Sequence, residues 1–247
     1  MVQISIIRID GYGPWTLTKG SDREHELQIL QSRLYSDVQK LFAQKKSLVF
    51  FNRFDEMFAV TNELTVEEHI EILCELLKLY EMDISISIGN GKTPYQAHLN
   101  AYKARSNKES NNKFKVYGST KNNDYVQIMH IDIDDSDKLS TKLTPFEISS
   151  LITSIHAKLA EKFMEKKSLT FFLGGDNFMV VANGVKNAEV VVILDDVVNG
   201  IDIKLKCGIG KARTARKAAE MATKALDKIR EYRKNGKIEQ VFELNCL

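Results

Sequence analysis

Residues 2–9, Val-Gln-Ile-Ser-Ile-Ile-Arg-Ile, alternate into an apolar run that stops at Asp10. That spacing predicts a strand. Gly11-Tyr12-Gly13-Pro14-Trp15-Thr16 follows as a turn-rich stretch, and Leu27, Leu30, Leu34, Val38 and Leu41 then recur at helical spacing. Strands are expected at Ser47–Phe51 and Glu56–Thr61, around an Asn52-Arg53-Phe54-Asp55 tip. A helix over Val66–Tyr80, a strand over Asp83–Ile88 and a helix from Thr93-Pro94 to Lys103 complete the first half. Proline suits the first turn of that last helix. Ser106–Lys113 is polar and rich in Asn and Lys, and reads as a surface loop.

The order then returns. Val126–Ile131 predicts a strand ending at Asp132, and a helix starting near Thr144-Pro145 carries Ile148, Leu151, Ile152, Ile155, Leu159 and Phe163 on one face. Leu169–Leu173 and Phe178–Val181 flank Gly174-Gly175-Asp176-Asn177, which reads as a β-hairpin presenting a carboxylate. A helix over Val185–Val198, a strand over Ile201–Ile209, a basic helix over Thr214–Lys234 and an edge strand over Ile238–Leu244 follow.

The two halves match at one offset. Ile9-Asp10 aligns with Ile131-Asp132 after one residue of slip, and Phe51 through Asp55 with Phe172 through Asp176. Ile88-Gly89 aligns with Ile209-Gly210, Lys92-Thr93 with Arg213-Thr214, and Ala97 with Ala218. One offset in one order argues for two copies of a strand–helix–hairpin–helix–strand unit. The expected fold is therefore α+β, with two tandem ferredoxin-like, palm-like βαββαβ units related by internal duplication. Residues 1–121 form the first domain and 122–247 the second, each with helices covering one sheet face.

Charge narrows the partners. The 247 residues carry 35 basic and 33 acidic side chains, a net charge of +2. Residues 1–121 hold 16 of the basic and 15 of the acidic ones, so neither half is a charged tail. Nothing there calls for nucleic acid. Cys74, Cys207 and Cys246 form no CxxC pair and no Cys/His cluster, which argues against a zinc site and a disulfide framework. Cys74 and Cys207 sit in apolar runs and are expected to be buried. No signal segment or membrane-length apolar run is visible, so the expectation is a cytoplasmic protein with no membrane partner.

In a split βαβ topology the first strand lies beside the hairpin, so Asp10 should meet Asp55, and Asp132 should meet Asp176. Paired carboxylates at a strand end suit Mg²⁺ with substrate phosphates completing its shell. Gly11 and Gly13 offer backbone N–H groups to a phosphate, Tyr12 and Trp15 can stack on a purine, and Arg53 can reach phosphate. Turn capping and core packing are the plainer roles for all of these residues. His130 shares a face with Asp132 and reads either as an acid/base or as a satisfied core histidine. The glycines of Gly208-Ile209-Gly210-Lys211 point to an anion or to close backbone contact. The lysine-rich final helix reads as a solvated face.

Taken together these residues resemble the archaeal GTP cyclohydrolase III family, most specifically at Asp10-Gly11-Tyr12-Gly13-Pro14-Trp15-Thr16. Leu30 through Tyr35, Arg53-Phe54-Asp55, His130 through Ile133, Gly174 through Met179 and Gly208 through Lys211 extend the likeness. The Gly-Gly-Asp-Asn-Phe tip is similar to the GGDEF hairpin of diguanylate cyclases, and the turn after Asp10 to that of class III nucleotidyl cyclases. Asn177 stands where the diguanylate cyclase tip has Glu. The resemblance implies hydrolysis of GTP to a ring-opened formylaminopyrimidine nucleotide monophosphate and two phosphates, in flavin and F420 biosynthesis. It implies Mg²⁺, a monovalent activator such as K⁺, and a homo-oligomer. Asp10, Asp55, Asp132 and Asp176 match the motif carboxylates, as catalytic and metal-holding residues, with His130 beside them. Gly11, Tyr12, Gly13, Trp15, Thr16, Arg53, Gly174, Gly175 and Asn177 match nucleotide-binding positions. A nucleotidyl or dinucleotide cyclase and a non-catalytic GTP-sensing module are the alternatives.

Overall fold

The computed structural model describes residues 1–109, 113–121 and 124–247. Residues 110–112 of the expected Ser106–Lys113 loop, and 122–123 at the expected domain boundary, lie outside the described residues. The chain divides into two compact units, Met1–Lys92 with Gln96–Asn123, and Thr93–Tyr95 with Asp124–Leu247.

The first unit runs β1 (Val2–Ile9), α1 (Tyr12–Leu17), α2 (Glu24–Gln44), β2 (Leu48–Arg53), β3 (Glu56–Val60), α3 (Val66–Leu79), β4 (Ile84–Gly91), α4 (Pro94–Ser106) and β5 (Val116–Gly118). Its sheet has the order β2-β3-β1-β4-β5. β1 is antiparallel to both neighbours, and β5 is parallel to β4. The second unit runs β6 (Val126–Ile133), α5 (Pro145–Glu165), β7 (Leu169–Gly174), β8 (Asn177–Val181), α6 (Asn187–Val197), β9 (Leu205–Ala212), α7 (Ala215–Lys234) and β10 (Val241–Cys246). Read from the hairpin side, its sheet is β7-β8-β6-β9-β10, the same order as the first.

Each sheet is covered on both faces, which corrects the one-face expectation. In the second unit Met129, Ile131 and Ile133 of β6 pack with Ile155, Leu159 and Phe163 of α5 and Leu194 of α6. The opposite face receives α7, whose Ala218, Ala222, Ala225 and Leu226 are buried. The basic final helix is therefore amphipathic, with an alanine stripe as its packing face. Gly208 and Gly210 lie under that stripe. A Cβ on Gly210 would sit 2.0 Å from the Ala218 carbonyl oxygen, and one on Gly208 would sit 2.0 Å from that of Ala222. The strand glycines serve close helix approach rather than an anion. Gly89 repeats the device beneath Ala97 and Ala101 of α4, while α2 and α3 fill the other face of the first sheet.

Local signals explain the helix starts. Thr65 with Glu68, and Thr144 with Glu147, form capping boxes ahead of α3 and α5. Other details differ from expectation. Gly11–Thr16 is not an open turn: Gly11 adopts φ 67° and α1 begins at Tyr12. β9 starts at Leu205 rather than Ile201, because Ile203 turns back to bond the Ile201 carbonyl and Asp134 takes that of Lys204. Cys207 is buried as expected, but Cys74 is only half-buried and Cys246 is exposed. Among the described residues no helix is long and apolar enough to cross a membrane.

A buried polar chain ties β1 to α3. His69 is fully buried; its Nδ1 lies 2.6 Å from the Thr65 carbonyl oxygen and its Nε2 2.7 Å from Ser5 Oγ. A carbonyl can only accept, so Nδ1 carries the proton and Nε2 accepts from Ser5. Ser5 in turn meets Thr61 Oγ1 at 2.8 Å. Burial lowers the His69 pKa to about 4, against the raising effects of Thr65 and Glu68. A depressed histidine pKa gives stability that is fully present above the usual 6.5 and is lost as pH falls toward 4. The first unit should lose roughly 3 kcal/mol across that window. Denaturant melts at pH 7 and pH 4 check the loss, and an NMR titration placing His69 near 6.5 would refute its cause.

Candidate active site

The ends of β6 and β9, the β7–β8 tip and the last turns of α7 enclose a cavity of about 890 Å³ in the second unit. Asp132, on the α7 face of β6, is 4% exposed despite its charge. Across the ladder it faces Asn177 on β8 and Lys206 on β9. The tip places Asp176 close enough to Asp132 for each carboxyl to act on the other's pKa. Gly174 and Gly175 make the reversal at φ 107° and 60°, in the left-handed region that favours glycine. Nothing stands within 4 Å of where a Gly174 Cβ would be, so the tip is open to a ligand.

The pair is electrostatically asymmetric. Burial and the adjacent Asp176 raise the pKa of Asp132, against the pull of Lys206. Burial also pushes Asp176 up, but hydrogen bonds with Ser136 and Asp132 outweigh it and hold this carboxyl below its ordinary value. Of the two, Asp132 is the carboxyl whose charged form the surroundings disfavour. Lys206 Nζ stands 3.2 Å and an Arg230 guanidinium nitrogen 2.8 Å from Asp132 Oδ2. Arg233 joins Asp134 and Asp135, at 2.5 and 2.9 Å. Lys206, Arg230 and Arg233 thus each rest on a carboxylate at the cavity wall, which Lys204 and Lys234 also line.

His130 supports this arrangement from outside it. Its Nε2 lies 2.9 Å from Asn177 Oδ1, and Asn177 Nδ2 donates to Asp176 Oδ1 at 2.9 Å. Its Nδ1 is 3.2 Å from Thr223 Oγ1 of α7. Both His130 nitrogens are thus partnered, as in the satisfied-histidine alternative, and through Asn177 the ring braces the tip carboxylate. Asp134, Asp135, Lys206, Arg230 and Arg233 escaped the sequence reading. The alternation Asp132-Ile133-Asp134 was the available signal, since it puts both carboxylates on one strand face.

The first unit brings its matching residues together differently. The Ile9 amide donates to the Asp55 carbonyl at 2.9 Å, so strand end and tip do adjoin. The carboxylates take other partners: Asp10 is bound by Arg105 at 2.5 Å and Ser85 at 3.0 Å, and Asp55 meets Arg53 Nε at 3.5 Å. Arg53, more than half exposed, also meets Glu56. Tyr12 and Trp15 lie on α1 with ring centroids 6.0 Å apart, and Lys19 stands 5.0 Å over the Trp15 ring. Thr16 bonds back to the Gly13 carbonyl.

Among the described residues no group of three or more His, Cys, Asp or Glu side chains is placed to hold a metal ion. The donor chemistry of Asp132 and Asp176 nevertheless fits Mg²⁺. Two neighbouring carboxylates at a strand end suit a hard cation, which would keep several waters and substrate phosphates as its other ligands.

A GTP cyclohydrolase III from Methanothermobacter thermautotrophicus is 39% identical over 236 residues, covering 93% of this chain and 95% of the relative. The Methanocaldococcus jannaschii GTP cyclohydrolase III is 35% identical over 237 residues, covering 93% and 88%. Among solved structures, the active GGEEF domain of a diguanylate cyclase from Vibrio cholerae has a TM-score of 0.37 and 13% identity, over 48% of this chain and 82% of that one. The GTP cyclohydrolase III family profile matches residues 2–242, and the chain belongs to that family.

Proposed function

We propose that this chain hydrolyses GTP to 2-amino-5-formylamino-6-(5-phospho-ribosylamino)pyrimidin-4(3H)-one and two phosphates. Family membership across residues 2–242 carries the reading. Three waters are consumed. One adds at C8 of guanine and the C8–N9 bond breaks, leaving the formyl group on N7 while N9 gains a proton. The other two cleave the phosphoanhydrides.

Asp132 and Asp176 would hold Mg²⁺, which supplies charge neutralisation at the phosphates and a more acidic water. Lys206, Arg230 and Arg233 bring fixed positive charge to the same cavity, a suitable counter-charge for a triphosphate. A bound triphosphate would draw these cations off the carboxylates they now occupy. His130 and Asn177 keep Asp176 oriented meanwhile. K⁺ as an activator, a cytoplasmic setting where GTP is available, and a homo-oligomer belong to the same proposal. The matching strand orders support internal duplication as its origin.

Arg233→Gln is expected to raise the KM for GTP about tenfold with a much smaller change in kcat, since it weakens charge recognition. The defect should shrink in high salt, where screening weakens the wild-type contact too. Equal KM values at low salt would refute this role. The activity is tested by incubating the protein with GTP, Mg²⁺ and K⁺ while following ultraviolet absorbance and free phosphate. Unchanged guanine absorbance with no phosphate released would end the reading.

A further inference from the structure

We propose that the Lys206 ammonium is a built-in cation that takes the place of a second divalent ion. Before nucleotide binds, the second-unit site then holds one Mg²⁺ rather than two. This rests on the reading of Asp132 and Asp176 as the carboxylates that hold Mg²⁺. Lys206 is the second residue of β9 and the register partner of Asp132. Its Nζ lies 3.2 Å from Asp132 Oδ2 and 3.5 Å from Asp134 Oδ1. The side chain is only 12% exposed, against 49% for Arg230 and 47% for Arg233. A lysine so deeply placed is rare unless its charge is matched.

Two-metal phosphoryl sites set two divalent ions about 3.5–4 Å apart. Asp132 has the tip with Asp176 on its β8 side and Lys206 on its β9 side. From there the ammonium joins Asp132 to Asp134, the next carboxylate on that strand face. It brings one positive charge and three donors, and so neutralises these oxygens as a metal ion would. Its reach is consistent with that role, because the Lys206 charge favours the ionised forms of Asp132, Asp135 and Asp176 alike. A divalent ion placed beside it would be repelled at short range, where water screens poorly. The first unit has a different residue at the matching position. The offset that aligns Ile88 with Ile209 sets Ser85 against Lys206, and Ser85 Oγ donates to Asp10 at 3.0 Å. Serine is neutral, and its oxygen can ligate a hard cation.

Mn²⁺ is the probe, because it takes the oxygen ligands that Mg²⁺ takes and the free ion is counted by its paramagnetic resonance. Titrations use the full chain without nucleotide. Lys206→Ser is expected to bind one more Mn²⁺ per chain than wild type. Its melting temperature should fall without metal, since Asp132 and Asp134 lose their counter-charge. With added Mn²⁺ it should climb more steeply than that of wild type, as binding to the folded state requires. Asp176→Asn should bind one Mn²⁺ fewer than wild type. Should Lys206→Ser fail to fold, Lys206→Gln keeps an N–H donor for Asp132 and is expected to show the same additional ion. A folded Lys206→Ser or Lys206→Gln protein that binds only as many Mn²⁺ as wild type would reveal a plain buried ion pair and overturn the proposal. An Asp176→Asn count equal to that of wild type would overturn it too. The counts are taken without GTP, so an additional ion in a protein that leaves GTP intact would sink the hydrolase reading and leave this assignment standing.

Discussion

Asp132→Asn is expected to lower kcat/KM for GTP by roughly a thousandfold, the scale on which a charge acting directly on the reacting groups is felt. Asparagine keeps the shape and loses the charge, so metal and phosphate binding should suffer together. Stability should move the other way. Because burial and Asp176 raise the pKa of Asp132, its stabilising contribution is full below the ordinary carboxylate range and is lost as pH rises through the raised value. At neutral pH the aspartate is therefore a cost that a neutral asparagine avoids. Arg230, released from it, is half exposed and retains Asp227 at 2.8 Å. A variant that melts no lower than wild type yet turns over a thousandfold more slowly is the signature of a functional carboxylate.

Asp10→Asn makes the comparison. Asp10 is held by Arg105 and Ser85, so its loss should affect stability more than kcat. Equal mild effects of the two substitutions would refute a metal role for both positions.

Gly210→Val is the second large effect, and it falls on the fold. A Cβ there would stand 2.0 Å from the Ala218 carbonyl and 2.4 Å from the Ala222 amide nitrogen, both backbone atoms of α7. Backbone cannot swing aside as a flexible side chain can, so α7 must lift from β9. A loss of at least about 3 kcal/mol is expected, at the upper end of overpacking costs. Because α7 carries Arg230 and Arg233, the same shift should raise the KM for GTP in whatever protein stays folded. Urea melts read the first effect. An unchanged midpoint would mean that α7 does not pack as closely as this.

The same contact shows how far the sequence could be read. The alternating runs at Val2–Ile9 and Val126–Ile133 and the two hairpins were legible, because one apolar face of each strand is buried. The strand-end and tip carboxylates followed from topology alone, and Asp132 with Asp176 do meet. The alanine stripe of α7 was hidden by its lysines and arginines: small residues give a weak hydrophobic signal, and their value here is closeness rather than apolar area. For the same reason the arginines facing the cavity went unread as site residues. Gly-Tyr-Gly-Pro suggested an open turn because its short helix α1 depends on contacts such as that between Tyr12 and Gln31. β5, with only Val116–Gly118, exists through parallel pairing to β4 and has no local pattern of its own. The Ile201–Lys204 segment is apolar enough for a strand, but it reverses the chain before Leu205.

The most direct test of the central claim is mass analysis of the products formed from GTP in heavy-oxygen water, with wild type and Asp132→Asn side by side. Wild type should yield the ring-opened monophosphate with one heavy oxygen in its formyl group and two inorganic phosphates for each GTP consumed. Asp132→Asn should leave GTP largely intact. A cyclic nucleotide with pyrophosphate, or an unlabelled purine ring in every product, would contradict the account.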